Sequence, residues 1–243
     1  VKLINYFIIL FNSPIKLNEK KHKFIFKNLE IKINTNDEIV FRRWKAFERN
    51  GKEEDTIKWI DEFEDNKVFY DIGANVGTFS VYASLKKKVK VYSFEPEPNS
   101  FIELTKAIDL NQLDISPILI GLGSESRPGY FNMSSNQAGL SNHQISKTNI
   151  GKKNFILSVQ TIDNLIQEQI VSIPNYIKID VDGNEKEILK GMKHTLNNNE
   201  LKSILVEIDN QNNFKFIYDY LNNFGFKINK EVDQNTKNYI FEK

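Results

Sequence analysis

From Lys67 onward the chain alternates short apolar runs with amphipathic stretches at nearly constant spacing, and few folds satisfy that rhythm. The run VFYDIG precedes a helical pattern over Val76–Leu85, VKVYSFE precedes another over Asn99–Asn111, and a third strand is expected over Ile115–Ile120. After an irregular stretch come a short helix (Ile162–Gln169), a strand (Tyr176–Asp180), a helix (Glu185–Met192) and a strand (Ser203–Ile208). A last helix, Phe214–Phe224, precedes two strands, Phe226–Lys230 and Tyr239–Glu242. Parallel strands need a long crossover, and a helix is its usual form. The pattern therefore predicts an α/β, doubly wound parallel sheet of about seven strands with helices on both faces. Its final two strands have no helix between them and are expected to form an antiparallel hairpin.

The first 66 residues read differently. Residues 23–34 (KFIFKNLEIKIN) alternate polar and apolar, the period of a half-buried strand or hairpin. Glu53–Phe63 places Ile57, Trp59, Ile60 and Phe63 near one helical face, with Asp55 a plausible cap. Residues 1–66 are thus expected to be a lead-in packed on a domain spanning 67–243. The segment Leu3–Phe11 is too short for a membrane span, which needs about 20 apolar residues. It is expected to be packed or peripheral, and the chain cytoplasmic with no membrane span. The Asn/Ser/Gln-rich stretch Ser134–Asn154 is the candidate for a mobile loop or lid.

The loop DIGANVGTF (71–79) joins the first strand of the regular region to its helix. Gly73 and Gly77 allow a close ligand approach that a β-carbon would block. The amides opening the helix at Thr78 favour a negative group, and Asp71 adds an acceptor for an ammonium. The next strand ends in Glu95, 95 − 71 = 24 positions on. An acid about 20 residues beyond such a loop is placed to accept both hydroxyls of a ribose. Pro96 and Pro98 stiffen the following turn. The loop is neither the G-x-G-x-x-G of nicotinamide enzymes nor a P-loop, so adenosine without a pyrophosphate fits best.

Taken together, FYDIGANVGTFS (69–80), VYSFEPEPNSFIELTKAIDLN (91–111), IKIDVDGNEKEILKGM (177–192) and ILVEI (204–208) resemble the FkbM-type methyltransferases. SVQTIDNLI (158–166) matches the family's segment ahead of its fourth strand. The resemblance implies a Rossmann-like class I methyltransferase sheet, S-adenosylmethionine as cofactor, and O-methylation of a sugar, glycan or other small molecule. Carried onto this chain, Asp71, Gly73, Asn75 and Gly77, with Thr78, would hold the methionine portion. Glu95 would bind the ribose, and the turn from Pro96 would border adenine. One departure stands out: the family usually has Glu where this chain has Asp182, a carboxylate retracted by one carbon–carbon bond.

Catalytic candidates belong at the C-terminal ends of the strands, where open α/β sheets bind ligands. Asp180 ends the fourth strand and Glu207 lies near the end of the fifth. Each is either an acceptor-binding acid or a structural one. Lys178, inside the apolar run IKID, is expected to pair with one of them. His143 either folds over the site as a base or stays on a surface loop, whereas His22 and His194 are expected to be solvated. Asp180, Asp182 and Glu185 carry hard oxygen ligands, but their spacing lacks the pattern of a calcium loop; they are weak candidates for a divalent ion. The absence of cysteine excludes thiolate metal sites and a cysteine nucleophile. A formal charge of +1, from 33 basic and 32 acidic residues, gives no basic field for nucleic acid, and no nucleic-acid partner is expected.

Overall fold

A computed structural model describes residues 19–49, 54–133, 137–140, 143–149, 153–209, 211–230 and 237–243. Leu3–Phe11, for which packed or peripheral structure was expected, lies outside them.

The alternating segment near the start forms the hairpin β1 (Lys21–Phe26) and β2 (Leu29–Asn34), paired antiparallel. Lys27 and Asn28 take positive φ (45° and 67°) at its turn, the geometry that two-residue hairpins require. Helix α1 (Glu38–Glu48) follows, capped by the Asp37 side chain on the amides of Ile39 and Val40. Val40, Trp44 and Phe47 share one face by i, i+4, i+7 spacing and are buried. Helix α2 (Glu54–Asp61) buries Ile57, Trp59 and Ile60; Asp55 lies within its first turn rather than capping it, because the helix already begins at Glu54. There its carboxylate still faces the positive end of the helix dipole.

The regular region then builds β3 (Val68–Ile72), α3 (Thr78–Lys87), β4 (Lys90–Phe94), α4 (Pro98–Asn111) and β5 (Ile115–Ile118). Later come α5 (Ile162–Gln167), β10 (Tyr176–Ile179), α6 (Glu185–Lys190), α7 (Lys193–Asn197), β11 (Ser203–Glu207), α8 (Gln211–Asn222), β12 (Lys227–Lys230) and β13 (Asn238–Glu242). The strands form a seven-stranded sheet in the order β12-β13-β11-β10-β3-β4-β5. β10, β11, β3, β4 and β5 pair parallel, and β13 runs antiparallel to both its neighbours. The expected doubly wound sheet with a closing antiparallel hairpin is the one observed. The order reverses between β3 and β10, so their C-terminal ends flank the topological switch point, where such sheets leave a crevice.

Each sheet face carries its own core. Phe24, Trp44, Phe47, Trp59 and Leu104 lie on one side with the hairpin and α1–α4; Leu165, Ile188, Leu196 and Ile217 lie on the other with α5–α8. The hairpin is tied to α4 by a reciprocal pair of bonds: Lys32 N–H donates to Asn111 Oδ1, and Asn111 Nδ2 donates to the Lys32 carbonyl, both at 2.8 Å.

The stretch between β5 and α5 differs from expectation. It folds as a second sheet of four strands, β6 (Gly121–Leu122), β7 (Arg127–Asn132), β8 (Gln144–Ser146) and β9 (Asn154–Gln160), in the order β6-β9-β7-β8. Part of Ser134–Asn154, expected as a mobile loop, is therefore strand. Phe131 is buried, and cross-strand pairing of β7 with both β8 and β9 gives the segment the ladder bonds that a free loop lacks.

Candidate active site

At the end of β3 the chain turns through three left-handed residues, Gly73 (φ 82°), Asn75 (φ 51°) and Gly77 (φ 88°). The Gly73 and Ala74 amides both donate to the Phe94 carbonyl at the end of β4 (2.9 and 3.1 Å), holding the loop against the neighbouring strand. On its other side Gly73 touches β10: a Cβ there would lie 1.9 Å from the Asp180 carbonyl oxygen. The glycine sets how closely the two strand ends meet at the switch point.

A cavity of about 380 Å³ opens above this junction, within the range of small-molecule sites. Of the sequence-based candidates, Gly73, Asn75, Glu95, Pro96, His143, Asp180, Asp182 and Glu207 line it. Asp71, Gly77 and Thr78 do not; they sit behind the loop. Thr78 begins α3, and the space beside Gly77 is filled by Leu104. Asp71 is 1% exposed, and its Oδ2 accepts from Ser80 Oγ (2.5 Å), which in turn accepts from Ser93 Oγ (2.7 Å). Burial raises the Asp71 carboxyl above the usual range, against the nearby Lys178 charge.

Glu95 forms the wall beside the loop. Its Oε2 accepts from the Asn75 amide and its Oε1 from the Glu97 amide, each at 2.7 Å. Each carboxylate oxygen has two acceptor positions, so two protein donors leave acceptor capacity toward the cavity. Burial pushes this carboxyl up to about 7; the two amide bonds oppose the rise, and the charges of Glu97 and Asp71 add to it.

Across the switch point, Asp180 Oδ2 takes the Lys178 ammonium at 2.5 Å. Lys178 is 1% exposed and also lies over the Phe79 ring, 4.8 Å from its centroid. Burial alone would raise Asp180, but Lys178, a hydrogen bond with Glu207 and the Arg43 charge hold it down at about 2. The lysine–acid pairing expected from IKID is observed. His143 packs at 5.3 Å from the Phe131 ring, and its backbone amide donates to Asp182 Oδ2 (2.9 Å). Burial lowers its imidazole below the ordinary value, although Glu97 and Asp182 pull the other way.

Glu185 turns away from the cavity: its Oε1 accepts from the Gly183 amide (3.0 Å), bracing the turn into α6. Among the described residues, no group of three or more His, Asp or Glu side chains is placed to hold a metal ion. His194 is exposed as expected. His22 is half-buried instead, with Nε2 3.1 Å from the Thr35 carbonyl oxygen and its ring against Phe41.

Three further polar cavity residues escaped the sequence reading: Arg43, Asn184 and Asp209. Asn184 Nδ2 donates to the Leu122 carbonyl (2.7 Å), joining β10's loop to the second sheet, and Asp209 pairs with Lys237 (2.8 Å). Arg43 comes from α1, over a hundred residues before the acids it faces. Its Nε donates to the carbonyl of Gly139, and the next carbonyl, Leu140, accepts from Asn75 Nδ2 (3.1 Å). Nothing in its local sequence context marks it.

The sequence pattern of the methyltransferase FkbM domain matches residues 71–228. Hexuronic acid methyltransferase AglP of Haloferax volcanii is 31% identical over 167 residues, covering 68% of this chain and 65% of that protein. Among solved structures, methyltransferase FkbM of Methylobacillus flagellatus aligns with a TM-score of 0.56 at 14% identity, over 85% of this chain and 55% of the other. The Pyrococcus abyssi tRNA (uracil-54, C5)-methyltransferase, solved with S-adenosyl-L-homocysteine, aligns at 0.50 and 12% identity, over 92% and 44%. The chain thus spans less than two thirds of the length of each of these relatives, and the structural likenesses concern the fold.

Proposed function

This chain belongs to the FkbM methyltransferase family, and from that premise we propose that it moves the methyl group of S-adenosylmethionine to a hydroxyl of a sugar, glycan or other small molecule. The observation that carries the reading is Glu95: a buried carboxylate anchored by two backbone amides, with acceptor capacity toward a cavity at the switch point. That donor and acceptor set suits a ribose diol. Phe94, Pro96 and Ile120 offer an apolar wall for a base, and Asn75, whose amide donates to Glu95, lines the same cavity. The similarity to a hexuronic acid methyltransferase supports a carbohydrate acceptor.

S-adenosylmethionine, when bound, would supply an electrophilic methyl to the acceptor oxygen and leave as S-adenosylhomocysteine, and the hydroxyl proton would pass to the protein. Asp180 stays anionic throughout the physiological range, so it orients a hydroxyl by accepting from it. Burial holds the His143 imidazole below its ordinary value and so favours the neutral form, which in this reading takes up the proton. Phe131, Leu140 and Ile145, from the second sheet and its loops, form the side that keeps water from the acceptor.

The test is calorimetric titration with S-adenosylhomocysteine, then turnover with radiolabelled S-adenosylmethionine over neutral and acidic glycosides. Binding and label transfer to a glycoside oxygen are expected; a folded protein that binds no S-adenosylhomocysteine overturns the reading. Glu95 adds a signed pH dependence. Ribose hydroxyls donate to the charged carboxylate, and the free group titrates at about 7. Affinity is therefore expected to rise about tenfold between pH 6 and pH 8 and to flatten above, with proton release visible as a buffer-dependent binding heat. In Glu95→Gln the profile should be flat and the affinity lower by about 10- to 100-fold. A wild-type affinity independent of pH would contradict this role.

A further inference from the structure

We infer that Arg43, on the helix preceding the glycine loop, holds a carboxylate within the cavity, and that this is the carboxylate of the cofactor's amino-acid tail. The inference rests on the S-adenosyl reading above and assigns a group which that reading left without a partner.

Arg43 is half-buried and lines the cavity. A guanidinium carries five N–H donors and no acceptor. Among the described residues it makes one hydrogen bond, from Nε to the Gly139 carbonyl, and no carboxylate lies within 4.0 Å of it. Of the other arginines, Arg42 and Arg49 are exposed and Arg127 is half-buried, and Arg42 and Arg127 pair with Glu38 and Glu125. Arg43 is the arginine that lines the cavity and keeps donors toward it, and a planar fork matches a carboxylate with two parallel bonds.

Position selects the source of that carboxylate. The Asn75 amide is bonded to Glu95, and the Asn75 side chain to Leu140, next to the Gly139 carbonyl that holds Arg43. Along the wall the order is Glu95, Asn75, Arg43. A nucleoside whose ribose sits on Glu95 and whose base lies against Phe94 and Pro96 directs its 5′ tail past Asn75 toward Arg43. The tail carries a carboxylate, and Arg43 is the one Lys or Arg among the described residues that line the cavity. An acidic acceptor is the other source of a carboxylate in this cavity, and the test separates the two.

The full chain is titrated by calorimetry with S-adenosylhomocysteine and with its decarboxylated analogue, which lacks only the carboxylate. Wild type is expected to prefer S-adenosylhomocysteine by about 10- to 100-fold. Arg43→Met, which keeps much of the apolar stem, should abolish that preference and leave the affinity for the decarboxylated analogue within about twofold. Arg43→Lys should retain part of the preference, since an ammonium keeps the charge but loses the fork. A preference that survives in Arg43→Met overturns the inference, and so does equal weakening of both ligands, which marks a structural role. If Arg43→Met instead spares the preference and raises KM only for acidic acceptors, the carboxylate belongs to the acceptor and the inference fails. A folded wild type that binds neither ligand refutes the S-adenosyl reading itself, a result distinct from all of these.

Discussion

Asp180→Ala is expected to cost about 3 kcal/mol of folding stability at pH 7, whereas Lys178→Met should cost about 1 kcal/mol or less. The two side chains form one pair at 2.5 Å, but their surroundings differ: the Lys178 side chain is 1% exposed and that of Asp180 is 29% exposed. Removing the acid takes the carboxylate at 2.5 Å away from an ammonium buried in the interior, where charge is expensive to keep. Removing the lysine leaves a carboxylate that reaches water, and methionine fills the apolar space over Phe79. Urea denaturation of both variants checks the asymmetry. Equal losses, or a larger loss for Lys178→Met, would show that Asp180 is not what holds Lys178. Asp180→Asn, which still offers an oxygen to the ammonium, should fall between the two and makes the better variant for turnover measurements.

The second large effect concerns backbone. Gly73→Ala is expected to destabilise by about 3 kcal/mol or more, combining left-handed strain of about 1 kcal/mol with overpacking. The added methyl would meet the Asp180 carbonyl at 1.9 Å, and that oxygen is backbone at the end of β10, whose Asp180 amide is bonded to the Ile72 carbonyl. Gly183 is the control: its φ is 91°, yet nothing lies within 4 Å of a Cβ built there, so Gly183→Ala should show only the strain. A difference of about 2 kcal/mol between the variants, read from urea midpoints, is the expected result. If they are equally affected, the contact between the two strand ends is softer than the geometry implies.

The doubly wound sheet was legible because period-two and helical patterns are local, and strand–helix alternation has one economical arrangement. Helix α1 was equally local, with Asp37 as cap and Val40, Trp44 and Phe47 on one face, but its signal sits in a region of mixed patterning and went unread. The second sheet was missed for a different reason. β9 carries an apolar run in NFILSVQ, but its partner β6 and the edge strand β8 have only two and three residues, too few to show any period. Such strands exist only through their neighbours.

At the site, the residues visible in sequence are those whose chemistry follows from a strand end: Gly73, Asn75, Glu95, Pro96, Asp180 and Glu207. Asp71 carries the motif, yet it faces Ser80 behind the loop, because alternate strand residues point to opposite sides of the sheet. Arg43 was invisible because its position in the cavity depends on how α1 packs, which no local pattern encodes.

The second sheet leaves the core and rejoins it at one place. β6 and β9 lie side by side in register, Gly121 with Val159 and Leu122 with Gln160, and the Gly123 amide bonds to the Gln160 carbonyl at 3.0 Å. Entry and exit are therefore adjacent, and residues 123–160 form a cassette that a related chain can exchange without re-threading the seven-stranded sheet. Phe131, His143 and Ile145 would travel with the cassette, while Glu95, Gly73 and Asp180 would stay behind. On the proposed function, divergence in the acceptor can thus proceed separately from the residues proposed to hold the donor, with one condition. Any replacement cassette must still present two successive carbonyls, those of Gly139 and Leu140 here, to the arginine and the asparagine of its host.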